Sequence, residues 1–181
     1  WSGDAATTRK RETQPTPQSQ KNVARQALSP ADKNTYLSEI IAILQAHWPE
    51  NRRINIVCHG HSVPAGYFAT PRVDTFNAYP HLLHRALKER FPFAVINVIV
   101  TAIGGENSSA GTARFEREVL CHRPDLITID YGLNDRGIGL EEAGLNWREM
   151  IQSALEREIK LILLTPTADV TQDVGYAGDD V

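Results

Sequence analysis

Ile54-Asn55-Ile56-Val57-Cys58-His59-Gly60-His61-Ser62-Val63-Pro64-Ala65-Gly66 is a short apolar run that breaks into a turn of glycines, polar side chains and a proline. Residues 54–58, apolar and bounded by polar residues, have the pattern of a strand buried on both faces of a parallel sheet. Upstream, Leu37, Ile40, Ile41, Leu44 and Trp48 recur at helical spacing. This helix is predicted to start at Ser29-Pro30-Ala31-Asp32, where Ser caps, Pro suits the first turn and Asp faces the positive end, and to stop at Pro49. Downstream of a loop with Gly60, Pro64 and Gly66, helix and strand alternate. Leu83, Ala86, Leu87 and Phe91 mark a helix, residues 94–100 a β-branched strand, and residues 109–121 a helix packing Ala113, Val119 and Leu120. Residues 126–129 read as a strand, Leu140, Ala143, Trp147, Ile151 and Ala154 as a helical stripe, and residues 161–164 as a fourth strand. Short apolar strands separated by amphipathic helices imply right-handed crossovers. The fold class is α/β, a three-layer α/β/α sandwich with a parallel sheet.

With 181 residues, 41% hydrophobic and 23% charged, the chain suits one domain of ordinary composition. Residues 1–28, rich in Gln, Thr, Ser, Pro and basic side chains, cannot bury enough surface to offset ordering entropy and are expected to form a disordered polar tail. The domain then runs over 29–181. Residues 1–30 carry net charge +3, which leaves −6 for residues 31–181, so no positive field is available to hold nucleic acid. Arg9-Lys10-Arg11 is too small a basic cluster to carry functional weight. No apolar run approaches the ~20 residues of a membrane-spanning helix. The first residue is Trp, without an apolar leader before the tail, and the start reads as a processed end. Cys58 and Cys121 lack zinc spacing and are expected to pack as small apolar residues rather than to pair, which leaves the compartment open: secreted, periplasmic or cytoplasmic.

In a sheet of this kind ligands bind beyond the carboxyl ends of the strands, where loops converge and helix N-termini point donors outward. Three exits carry glycine beside polar groups: residues 58–62, with Ser62; residues 101–108, with Gly104-Gly105; and residues 130–135, with Asn134-Asp135. A hydroxyl on one exit and a carboxamide on another supply a nucleophile and a hydrogen-bond donor, the pairing acyl transfer requires. In isolation each has a plainer use. Ser62 serves as a helix cap, Gly104-Gly105 as a strand-end turn or phosphate loop, and Asn134-Asp135 as a cap before the next helix, a role expected of Asp135 in any case.

Taken together, these exits resemble the SGNH hydrolases, the GDSL esterase and lipase family, over about residues 54–165. Gly60-His61-Ser62-Val63-Pro64-Ala65-Gly66 is similar to the first block, Gly-Asp-Ser followed by a short loop and Gly, which implies Ser62 as nucleophile. Residues 96–108 are similar to the second block and carry its oxyanion glycine to Gly105, with Gly104 as the fallback. Gly132-Leu133-Asn134-Asp135 matches Gly-x-Asn-Asp, which implies Asn134 as the side-chain oxyanion donor. The resemblance implies a flavodoxin-like sheet of SGNH type and a serine ester hydrolase acting through an acyl-enzyme on Ser62. Its oxyanion hole comes from Ser62, Gly105 and Asn134, its substrate is a small-molecule or carbohydrate ester, small acyl groups on sugar first, and it needs no cofactor.

Two departures stand out. His61 replaces the Asp of the first block, and no Asp-x-x-His occurs in the chain, the block in which the family keeps the histidine base and its orienting aspartate. The sequence reads as truncated before that block, and the 181 residues are expected to show little or no esterase activity. Of the six histidines, His47, His81, His84 and His122 lie on or near helices, and His59 and His61 share a turn with Ser62 so tight that an imidazole rarely points in line at the attacking oxygen. None is taken as the base, and a metal pair at His59 and His61 lacks further ligands. Tyr67, Phe68, Tyr131 and Arg136 fall on active-face loops as second-tier lining residues. The alternative from another class is a catalytically silent module of this fold that recognises an acylated glycan or a protein. A flavodoxin-like flavin or nucleotide binder shares the sheet but gives no reason for Ser62 and Asn134 together.

Overall fold

The alternation of strand and helix is realised over residues 31–166, the part of the chain described by a computed structural model. Four parallel strands, β1 (Arg53–Gly60), β4 (Val95–Val100), β5 (Leu126–Asp130) and β6 (Lys160–Leu163), lie in the order β4-β1-β5-β6. β1 and β5 are central and buried almost throughout, whereas β4 and β6 at the edges are partly open. Two short strands, β2 (Tyr67–Ala69) and β3 (Arg72–Val73), pair antiparallel in a separate hairpin. The helices are α1 (Ser38–Gln45), α2 (Ser62–Ala65), α3 (Tyr79–Arg90), α4 (Ser108–Glu118) and α5 (Leu140–Leu155).

Side chains alternate across a strand, so β1 feeds two cores. Ile54, Ile56 and Cys58 pack with Ile96 and Leu126 beneath Ile40 and Leu44 of α1 and Leu83 and Leu87 of α3. Val57, Ile127 and Ile129 pack on the other face against Phe115 of α4 and Met150 and Ala154 of α5. Register places the exits together: Cys58 lies opposite Val100 on one side and Thr128 on the other, and Gly60 lies opposite Asp130. No helix among the described residues is long and apolar enough to cross a membrane.

Several expectations are corrected. α1 begins at Ser38 after turn residues 33–37, with Leu37 at its cap and no capping side chain; Ser29 and Pro30, and the tail at 1–28, lie outside the described residues. α1 ends at Gln45, so Trp48 lies past it and is 85% exposed, and Ile41, a third of a turn round from Ile40, is also exposed. Ala113 faces solvent because α4 buries the stripe Ser108, Gly111, Arg114 and Phe115. Val119 and Leu120 are buried, but just beyond α4. Leu140 opens α5 and is exposed, while Ala143 and Ala154 are buried and Met150 joins them. Cys58 is buried as expected, but Cys121 is exposed. The β2–β3 hairpin takes up chain that reads as loop, too short for a two-residue period to register.

α4 reaches the sheet through Gly111. A methyl there would run into the phenol ring of Tyr131, so glycine is what lets helix and strand exit touch. Gly111→Ala is expected to push α4 outward and cost about 1–3 kcal/mol, the usual range for overpacking. A lowered urea midpoint with an unchanged slope would show it.

Candidate active site

Ser62 is the first residue of α2 and follows β1 by a single residue. That abrupt transition depends on two glycines. A Cβ on Gly60 would sit 2.5 Å from the Asp130 carbonyl oxygen, so only glycine lets β1 pass this close to the end of β5. Gly66 ends α2 at φ +97°, a left-handed conformation, and its N–H is bonded by the carbonyls of Ser62 and Val63. The loop is held from both sides: Ile103 N–H donates to the Gly60 carbonyl, and His61 N–H donates to the Asp130 carbonyl. All three exits are thereby laced together at one end of the sheet.

Gly105, at φ +83°, lies in the β4–α4 loop, with open space where a Cβ would be. At Gly104 a Cβ would collide with the Tyr67 ring, so the hairpin packs directly on this loop. Asn134 reaches the same loop: its Nδ2 donates to the Glu106 carbonyl at 2.7 Å, one residue from Gly105. Asp135 does not serve as a local cap. Its carboxylate accepts from Ser108 N–H at 2.7 Å, at the start of α4, and from Trp147 Nε1 of α5 at 2.6 Å. It is an acidic clamp on a helix N-terminus, favoured by the positive end of the dipole.

Beneath these loops lies a buried polar layer that sequence reasoning missed. Arg114 of α4 grips Glu106 through Nε at 2.9 Å and Nη2 at 2.6 Å, and its Nη2 also donates to the Tyr131 hydroxyl at 3.3 Å. Glu106 thus fixes the β4–α4 loop by its side chain and Asn134 by its carbonyl. His59, fully buried, donates from Nε2 to the Gly111 carbonyl at 3.2 Å, lies 3.1 Å from the Tyr131 hydroxyl, and takes Thr101 Oγ1 at 3.0 Å on Nδ1. Its ring sits on the α4 side of β1, where both nitrogens are taken up by Thr101, Gly111 and Tyr131. No spacing signal announced this layer; Arg114 in a polar helix reads as a surface residue until Gly111 draws that face inward.

His61 is the larger surprise. It is 1% exposed, its Nδ1 lies 3.3 Å from Ser62 Oγ and accepts from Val63 N–H, also at 3.3 Å, and its Nε2 lies 3.3 Å from Asp130 Oδ1. Adjacency in sequence, which argued against any such contact, is overcome because His61 occupies the cap position of α2. A capping acceptor must lean over the first turn, where Ser62 sits. Of the second-tier residues, Tyr67 and Phe68 are exposed on the hairpin beside Gly104, while Tyr131 is buried in the polar layer. Burial pushes the Cys58 thiol up, so it stays protonated and is no rival nucleophile. Among the described residues, no group of three or more His, Cys, Asp or Glu is arranged to hold a metal ion.

Residues 58–180 match the GDSL-like Lipase/Acylhydrolase family. A search of the curated proteins finds no match. Among solved structures, a two-domain esterase active on acetylated mannans is similar at a TM-score of 0.62 and 23% identity, over 71% of this chain and 33% of its own. TesA matches at 0.55 and 27%, over 62% of this chain and 60% of its own, and the lipase/acylhydrolase from Enterococcus faecalis at 0.54 and 28%, over 64% and 59%. The chain therefore spans about a third of the first and about three-fifths of the other two.

Burial, with the Arg114 charge adding to it, brings the His59 pKa down to about 4. The unfolded imidazole takes up its proton near pH 6.5 and the folded one only near 4. The stability that the neutral ring contributes is therefore complete above pH 6.5 and is lost as pH falls toward 4, by about 3 kcal/mol. Urea unfolding across this range is expected to show wild type losing more stability than His59→Gln, whose side chain does not titrate.

Proposed function

Since the chain belongs to the GDSL-like lipase/acylhydrolase family, we propose that it is a serine ester hydrolase in which Ser62 attacks the ester carbonyl and forms an acyl-enzyme that water then cleaves. The supporting observation is the lacing of the Ser62 loop between the other two exits, by Ile103 N–H on the Gly60 carbonyl and His61 N–H on the Asp130 carbonyl. Charge developing on the carbonyl oxygen is met by the main-chain amides of Ser62 and Gly105 and by the Asn134 carboxamide. One Asn134 N–H is committed to Glu106, which orients the amide and leaves the second for the oxyanion. Fixed dipoles of this kind act without reorganising, which is why they lower the barrier. The scheme needs neither metal nor organic cofactor.

The ester we favour is a small acyl group on a carbohydrate. Tyr67 and Phe68 present exposed aromatic faces on the hairpin that packs on Gly104, flat apolar surfaces of the size of a sugar ring. The open space at Gly105 leaves room for substrate backbone or ring atoms at the oxyanion position.

Hydrolysis of a chromogenic acetyl ester is expected to disappear in Ser62→Ala and to fall by ~10²- to 10³-fold in kcat in Asn134→Ala, the usual loss for one oxyanion donor. Turnover in Ser62→Ala equal to wild type removes the assignment. A folded chain that binds acylated glycan yet never turns over the ester supports the silent binding module instead.

A further inference from the structure

We propose that the open edge of β4 is a dimerisation surface, on which the same strand of a second copy of this chain pairs antiparallel and extends the sheet across a twofold axis.

Residues 91–105, from the end of α3 into the β4–α4 loop, contain no charged side chain, and their single proline, Pro92, precedes the strand. Sheet edges are normally guarded by lysine, proline, a bulge or a covering segment, because a row of free N–H and C=O groups is a template for another chain. The opposite edge follows that rule, since β6 opens with Lys160, whose ammonium lies 3.6 Å from a Glu39 carboxylate oxygen. β4 has no such guard. Its register with β1 is unbroken from Val95 to Val100, and Val95 is 50% exposed, Val100 37% and Ile103 45%.

The ladder with β1 continues past the strand, with Thr101 N–H donating to the Cys58 carbonyl and Ile103 N–H to the Gly60 carbonyl, each at 3.0 Å. Main-chain groups alternate sides along a strand. Asn97, Ile99, Thr101 and Ile103 therefore direct theirs at β1, and Ile96, Val98, Val100 and Ala102 direct theirs outward. Among the described residues, these four meet no main-chain partner on that side.

A strand paired antiparallel with its own copy is isologous, residue i meeting j and j meeting i. An axis centred on Ile99 sets Ile96 opposite Ala102 and Val98 opposite Val100, so all four outward residues gain hydrogen-bonding partners. The same register sets Val95 opposite Ile103 of the second copy, which joins the two most exposed apolar side chains of this edge. Asn97 then meets Thr101, and no charge opposes a like charge at any pair. This self-complementarity is what selects a second copy over an extended chain of another sequence. Beside Ile103 a groove runs between residues 100–103 and α4, with Arg117, Cys121 and His122 on its wall, and it receives Val95 of the second copy.

Sedimentation velocity of the purified 181-residue chain across a concentration series is expected to show a species of twice the 20.1 kDa of one chain. Val100→Pro deletes one outward N–H and leaves the bonds to β1 in place, a change that an edge strand tolerates. It is expected to sediment as a monomer with the circular dichroism spectrum of wild type. Val95→Lys sets a charge against Ile103 of the second copy and is expected to raise the dissociation constant ~10-fold or more. Adding Ile103→Glu to Val95→Lys is expected to restore the dimer, because in this register the two positions meet across the axis. A wild-type chain that stays monomeric at the highest concentration reached overturns the proposal, and so does a dimer that survives both Val100→Pro and Val95→Lys. If Val100→Pro does not fold, the exposed position decides: an undiminished dimer in Val95→Lys overturns the pairing, and recovery in the double variant supports it.

Discussion

The register of β1 between its two parallel neighbours is the constraint from which the site follows. Cys58 pairs with Val100 and Thr128, and Gly60 pairs with Asp130, so three strands end within two residues of one another. Parallel strands present all their carboxyl ends on one side, and their loops must turn there. A slip of one residue along β1 would turn Val57 toward α1 and Ile56 toward α4, exchanging the two cores, which is why burial on both faces fixes the register so firmly. The cores thus determine where Ser62 stands, although neither contains it.

Above that register the loops are held by polar groups rather than by apolar packing. Glu106 serves in two directions, its carboxylate to Arg114 and its carbonyl to Asn134, and Asp135 ties the start of α4 to Trp147 of α5. Such networks are costly when incomplete, because a buried charge without a partner loses its hydration and gains nothing. Here Arg114 meets Glu106, Glu118 and Tyr131, and His59 has a partner on both ring nitrogens. The layer ties the exit loops to one another and to His59, whose burial holds its pKa down.

Most of the fold was legible because strands 54–58, 94–100, 126–129 and 161–164 are apolar enough to read without periodicity, and each falls within two residues of its strand at either end. What failed did so for local reasons. Trp48 and Ile41 obey a helical period on paper, but α1 ends before the first and turns the second outward. Ala113 reads as core beside Val119 and Leu120, whereas the crossing point is Gly111, against which the Tyr131 ring is pressed. Ser62, Gly105 and Asn134 could be nominated because each follows a recognisable strand. Glu106, Arg114 and Asp130 could not, since their importance arises from contacts between segments eight or more residues apart, and Tyr131 reads as a lining residue although its hydroxyl belongs to the buried layer.

His61 shows why a departure from a motif is better read by its geometry than by its absence from the pattern. The first block of the family has aspartate at this position, a residue suited to capping a helix because its oxygen accepts from the first-turn amides. Histidine keeps that function through Nδ1, which accepts from Val63 as a carboxylate oxygen would. It differs in having a second nitrogen on the far side of a rigid ring, and that nitrogen lies 3.3 Å from Asp130 Oδ1 at the end of β5. An aspartate at 61 would set a second carboxylate close to Asp130 in a buried site, where like charges raise the cost of ionising both. At position 61 an imidazole thus keeps the capping contact that a carboxylate would make and faces the one carboxylate at the end of β5 without adding a second.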